Sequence, residues 1–161
     1  MRKLSLKSRT AVAMAMGGVI AATSLCTATS ASATVTVSTN CNWALGLDIF
    51  YNSNQGGASA DLCDDVYDYA GWPIYNGSSL DTTHPVFTHE WKDNSTAGVG
   101  VAVKNNAASV INFAPSVNYT VYYHSGYSGA AQSIPYVHNG AYVNLIAALK
   151  NNNASQRAFA A

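Results

Sequence analysis

Two short patterns each occur twice in this chain, in the same order. Phe50-Tyr51-Asn52-Ser53-Asn54-Gln55-Gly56-Gly57 matches Tyr122-Tyr123-His124-Ser125-Gly126-Tyr127-Ser128-Gly129, and Val103-Lys104-Asn105-Asn106-Ala107-Ala108-Ser109 matches Leu149-Lys150-Asn151-Asn152-Asn153-Ala154-Ser155. Low-complexity sequence would not keep both order and spacing, so the chain holds two copies of one supersecondary unit. The first landmarks are 72 residues apart and the second 46, so unit one carries about 26 extra residues between its own landmarks. Around the landmarks the period is two. Leu45, Leu47, Ile49 and Tyr51 alternate with small or polar residues, as do Val99, Val101 and Val103, and Val117, Tyr119, Val121 and Tyr123. That is the pattern of strands with one buried face, and the Asn, Ser and Gly clusters between them are turn signals. Ten tyrosines suit pleated, half-buried surfaces. Helix signals are weak: Ser59 to Ala70 could make a turn or two, and Tyr142 to Leu149 reads as helix or strand. Thr34 to Ser38 and Ala158 to Ala161 are expected to fray.

The chain opens with Arg2, Lys3, Lys7 and Arg9, then an apolar run from Ala11 to Leu25, then small residues ending Ala31-Ser32-Ala33. A charged start, a short apolar stretch and an A-x-A site mark a secretory signal peptide, residues 1–33, with cleavage expected after Ala33. The apolar run is too short to span a bilayer comfortably, and Leu25 before Cys26 is a poor lipoprotein site. The expected product, 34–161, is secreted and extracellular, with no membrane attachment after cleavage. It keeps Lys92, Lys104, Lys150 and Arg157 against eight acids, a net charge of −4. Nothing in that balance attracts nucleic acid or an anionic membrane. Cys41 and Cys63 remain as an even pair, expected to form a disulfide in an oxidising compartment. Closing a loop of roughly 20 residues is worth about 3 kcal/mol.

The segment Tyr122-x-x-x-x-Tyr127-x-Gly129 resembles the aromatic-hairpin signature of βγ-crystallin Greek keys, in which a glycine permits a folded-over hairpin and aromatic rings pack on it. Unit one keeps Phe50 and Gly57 but has Gln55 at the second aromatic position. The Asn-Asn-x-Ala-Ser landmark resembles the loop of calcium-binding members, although Val110 and Gln156 stand where a final Ser would be. The whole combination, from about Cys41 to Arg157, resembles the secreted peptidase-inhibitor family typified by the Streptomyces metalloproteinase inhibitor. The resemblance implies an all-β, βγ-crystallin-like Greek-key β-sandwich, with units about Cys41–Ser116 and Val117–Arg157. It further implies a monomer that inhibits an extracellular protease, with a metalloprotease as the expected target and no cofactor required.

The residues offer little for catalysis. His84, His89, His124 and His138 lack metal-ligand spacing, His89-Glu90 has no second His four residues on, and no Gly-x-Ser-x-Gly elbow occurs. Asp61, Asp64, Asp65 and Asp68 read as a solvated face or turn. For inhibition, a rigid loop beside a disulfide is the usual device. Cys63, Asp64, Asp65, Val66 and Tyr67 form the candidate protease-contact loop, with Trp72, Trp91, Tyr69 and Tyr75 in the same insertion. The alternative is a calcium-binding structural or envelope-associated module without inhibitory activity. Asn105, Asn106, Ser109, Asn151, Asn152 and Ser155 would then supply neutral oxygens. The lack of anionic ligands implies weak affinity, or loops that are simply side-chain-bonded turns. A cell-wall, envelope-stress or toxin-like role, and carbohydrate binding through exposed rings, stay open.

Overall fold

The computed structural model describes residues 34–37, 46–76, 79–90, 95–136 and 141–161. The expected leader and cleavage at Ala33, together with Cys41, Trp91 and His138, lie outside these residues. Eleven strands run in chain order: β1 (Thr34–Val37), β2 (Leu47–Asn52), β3 (Gly56–Leu62), β4 (Pro73–Asn76), β5 (Ser79–Pro85), β6 (His89–Glu90), β7 (Ser109–Asn112), β8 (Val117–His124), β9 (Ser128–Ile134), β10 (Val143–Asn144) and β11 (Ser155–Ala160). They form a five-stranded sheet in the order β10-β7-β2-β3-β6, a three-stranded sheet β11-β8-β9, and a small sheet β1-β5-β4 built from the insertion and the N-terminal strand. The pairings are antiparallel except that of β1 with β5.

The duplication is written into the backbone. Hairpins β2–β3 and β8–β9 carry the same irregularity, a register shift between Phe50 and Asn52 in one and between Tyr122 and His124 in the other. Their turns place equivalent residues at positive φ: Asn54, Gln55 and Gly57 at 61°, 62° and 74°, and Gly126, Tyr127 and Gly129 at 76°, 58° and 83°. One serine per unit closes each turn. Ser109 Oγ donates to Asn52 O (2.6 Å) and accepts from Gln55 N–H (3.0 Å). Ser155 Oγ donates to His124 O (2.7 Å) and accepts from Tyr127 N–H (3.2 Å).

Each unit is a four-stranded Greek key whose third strand sits in the other unit's sheet. Strand β10 of unit two pairs with β7 of unit one, and Val66 of unit one bridges to Gln156 of β11 in unit two. The same follow-on bond accompanies both: Leu145 N–H donates to Ala108 O (3.0 Å), and Tyr69 N–H to Ala154 O (2.8 Å). Between the two larger sheets lies the core, with Leu47, Ile49, Ala58, Ala60, Leu62 and Val110 from one side and Tyr119, Val121 and Ile134 from the other. Phe87, Val103, Leu145 and Leu149 fill it from the connections.

The strands expected around Leu47–Tyr51 and Val117–Tyr123 are present. Three expectations are corrected, and Tyr142–Leu149, which reads as helix or strand, takes the strand in part. Val99 to Val103 is no strand, because Gly98 and Gly100 take φ of +89° and +79° and fold residues 97–100 into a turn; Ala102 makes a lone bridge to Val86. The helical turn through Ser59–Ala70 is absent: its first half continues β3, and Val66 is held by cross-unit strand pairing, which outweighs a weak local preference. Tyr142–Leu149 begins as β10 and ends in a turn closed by Leu149 and Lys150 N–H on Ile146 O. Neither tail is free: Thr34–Val37 pairs with β5, and residues through Ala160 pair with β8.

Candidate functional site

The candidate contact loop is a built part of the sandwich. Cys63 and Val66 are buried, at 7% and 3% exposure. Val66 N–H donates to Gln156 O (2.9 Å) and Val66 O accepts from Gln156 N–H (3.0 Å). Asp64, at φ +59°, accepts Gln156 Nε2–H on its carbonyl (3.0 Å) and donates its N–H to the Tyr119 hydroxyl (3.3 Å). Asp65 Oδ1 accepts from Ala158 N–H (2.8 Å). The main chain that a substrate-like inhibitor would lend to a protease cleft is thus already bonded to β11. Val66, the aliphatic member, faces the core. The candidate contact loop is thus a strand-like segment from which Asp64, Asp65 and Tyr67 project.

Alternation about Val66 turns Tyr67 outward, to 64% exposure. Its carbonyl accepts from Gly126 N–H (2.8 Å), and its ring covers Gly126, where an added Cβ would lie 3.0 Å from the phenol oxygen. Glycine therefore seats this ring besides permitting the turn. Tyr67 meets Tyr127 edge-on at 5.6 Å, and Tyr127 lies 6.0 Å from Tyr122. Arg157 stands 5.6 Å over the Tyr127 ring and 5.3 Å over Phe159, within cation–π range. Its Nε lies 3.7 Å from Asp65 Oδ2. Partial burial, then the Asp65 charge, raises the Tyr127 phenol above its ordinary value, so it stays neutral. The result is a row of exposed Tyr67, Arg157 and Phe159 around a half-buried Tyr127, on a hydrogen-bonded frame. Unit one lacks it because Gln55 takes the place of Tyr127 and is buried.

The six candidate calcium residues fall into two loops that the fold brings together. Asn105, at φ +61°, donates its N–H to Asn153 O (2.8 Å), and Asn151, at φ +57°, donates to Ala107 O (2.8 Å). Asn106 Nδ2 donates to Lys104 O (2.9 Å) and Asn152 Nδ2 to Lys150 O (3.2 Å), each tying its own turn. The hydroxyls of Ser109 and Ser155 are the hairpin clamps described above. Lys104, Asn105, Tyr123, His124, Ser125 and Asn152 border a cleft of about 200 Å³. Lys104 Nζ fills part of it, bound to Asp68 Oδ1 (2.7 Å) and Ser125 Oγ (3.1 Å). Asp68 is thereby held below the usual carboxylate range: burial pulls it upward, but the bonds from Lys104, Ala70 N–H and Ser125 outweigh that.

Of the other residues singled out, Tyr69 is fully buried and Trp72 packs at the edge of the core. Tyr75 belongs to β4 and His89 to β6. His84 Nδ1 lies 3.1 Å from Ala70 O. Of the four aspartates expected in a solvated face or turn, Asp64 and Asp65 are exposed, Asp65 and Asp68 pair with Arg157 and Lys104, and Asp61 is instead buried on β3.

Two duplicated Greek keys with exchanged third strands define the class as an all-β sandwich of βγ-crystallin type. No family model matches the chain, and no curated protein matches it. Among solved structures it is similar to a chain described as "Evolution of the eye lens beta-gamma-crystallin domain fold", at 12% identity and a TM-score of 0.46 over 72% of this chain and 86% of that one. It is also similar to the N-terminal domain of protein S, at 21% identity and a TM-score of 0.44 over 71% and 96%.

Proposed function

We propose that this protein is a secreted, monomeric, non-catalytic binding module that inhibits an extracellular protease, a metalloprotease in keeping with the family its sequence resembles. The contact surface is the row Tyr67–Tyr127–Arg157–Phe159 and not the main chain of Cys63–Val66. The observation that carries the reading is Tyr67, largely exposed yet fixed by a buried neighbour on one side and a carbonyl bond on its own residue. Tyrosine and arginine dominate the energetics of protein interfaces. A ring already held in place loses little freedom on docking. A Cys41–Cys63 disulfide would stiffen the same end of the segment.

The test is a titration of the purified protein against thermolysin-type, subtilisin-type and trypsin-type proteases at constant calcium. Stoichiometric loss of activity in the metalloprotease class is expected. Tyr67→Ala should weaken inhibition about thirtyfold, about 2 kcal/mol for an interface anchor, with an unchanged melting temperature. Absence of inhibition in every class refutes the reading. Equal potency of the Tyr67→Ala variant moves the contact elsewhere.

A further inference from the structure

The outer face of the hairpin β2–β3 holds a polar cluster that the inhibitor reading does not use. Leu47, Ile49, Ala58, Ala60 and Leu62 point into the core, so alternation puts Asp48, Phe50, Ser59 and Asp61 on the opposite face. In an antiparallel sheet open to water that face would be solvated. Here it is covered: Asp48, Phe50 and Ser59 are wholly buried and Asp61 is 8% exposed. Asp48 and Asp61 are directly opposite in the ladder, within hydrogen-bonding reach of each other. Like charges so placed repel, and among the described residues no lysine or arginine pairs with either. Among the described residues, the cations Lys104 and Arg157 pair with Asp68 and Asp65. Both oxygens of Asp48 and the hydroxyl of Ser59 are buried without a hydrogen-bond partner. Two ionised carboxylates only accept, so they cannot satisfy each other. Burial, then Asp61, pushes the Asp48 carboxyl up to about 9.

We propose that Asp48, Asp61 and Ser59 form a buried site for one divalent cation of the calcium type. The donors are all oxygen, which selects a hard cation over zinc or copper. Two carboxylates balance its charge, and with the serine hydroxyl they offer up to about five of the six to eight oxygens calcium takes. Asp61, which keeps some exposure, marks the side from which the ion and its remaining waters enter. The unpartnered Ser59 hydroxyl, two residues along the same face from Asp61, is the neutral ligand. The site lies toward the open end of the β2–β3 hairpin and uses none of the residues of the Asn105–Ser109 and Asn151–Ser155 loops. Occupied, it ties β2 to β3.

The protein is stripped with a chelator, and calcium alone is then titrated calorimetrically, with bound metal counted after dialysis. One equivalent per chain is expected, with a higher melting temperature in calcium. Asp48→Asn should lose binding at least a hundredfold and still fold, because its amide can donate to Asp61. Ser59→Ala should weaken binding several-fold, and Asn106→Ala with Asn152→Ala should leave it unchanged. No bound equivalent, undiminished binding by Asp48→Asn, or loss confined to the loop variant each overturns the site. A calcium-indifferent protein that Asp48→Asn makes more stable also overturns it, and shows two carboxyls sharing a proton.

Discussion

Gln156 holds more of the structure than its place in a polar, asparagine-rich stretch suggests. It is fully buried. Its Oε1 accepts from the Tyr69 hydroxyl (2.8 Å), and its Nε2 donates to Leu62 O (3.1 Å) and Asp64 O (3.0 Å). Burial raises the Tyr69 phenol well above its ordinary value, so it remains a donor at any ordinary pH. One side chain thus satisfies a buried hydroxyl from unit one and two carbonyls where β3 ends. Gln156→Leu keeps the volume and removes all three bonds. Leaving such groups unpaired costs about 1–3 kcal/mol each where water cannot reach them. A loss of about 3 kcal/mol is expected, read as a lower urea midpoint at unchanged slope. A change under 1 kcal/mol would mean that water replaces the amide.

At the scale of elements, the hairpins test how far a glycine's role is steric. Gly57 has φ +74°, and an added Cβ would sit 2.9 Å from Ala97 O, a main-chain atom that cannot swing aside. Gly100 has φ +79° with open space around it. Gly100→Ala should cost about 1 kcal/mol, the penalty of the left-handed conformation alone. Gly57→Ala should cost at least about twice that, because the turn must also shift. Parallel thermal melts check the difference, and equal costs would show that the contact relaxes freely. These elements also show what was legible. Strands β2 and β8 could be read because one face is apolar and the hairpin glycines mark their ends. Val99–Val103 could not, since its apolar spacing survives while Gly98 and Gly100 curl the backbone. Asp48 looked like a solvent-facing residue of a half-buried strand. Only non-local chain covering that face makes it a buried one, and no local period records such a cover. Val66 was misplaced for the same reason, its strand partner lying in the other unit. For the aromatic row, the sequence offered Tyr127 through the duplication and Tyr67 through the candidate contact loop, but neither Arg157 and Phe159 nor the strand exchange that brings Tyr67 beside Tyr127.

Across the whole molecule the two units are inseparable because each lends a strand to the other. Without unit one, β10 loses its partner β7, and β11 loses Val66, the Asp65 carboxylate that accepts from Ala158 N–H, and the Tyr69 phenol that donates to Gln156. Tyr119, Val121, Ile134, Leu145 and Leu149, buried in the intact protein, would face water. A piece of roughly 45 residues is already at the limit of what can fold without a disulfide, metal or partner, so 117–161 alone is expected to be unfolded by circular dichroism. The full chain should unfold in a single transition, with tyrosine probes in either unit reporting one midpoint, because stability is shared across the exchanged strands. A folded, cooperatively melting 117–161 fragment would show that the sandwich is two sufficient halves and that the strand exchange only docks them.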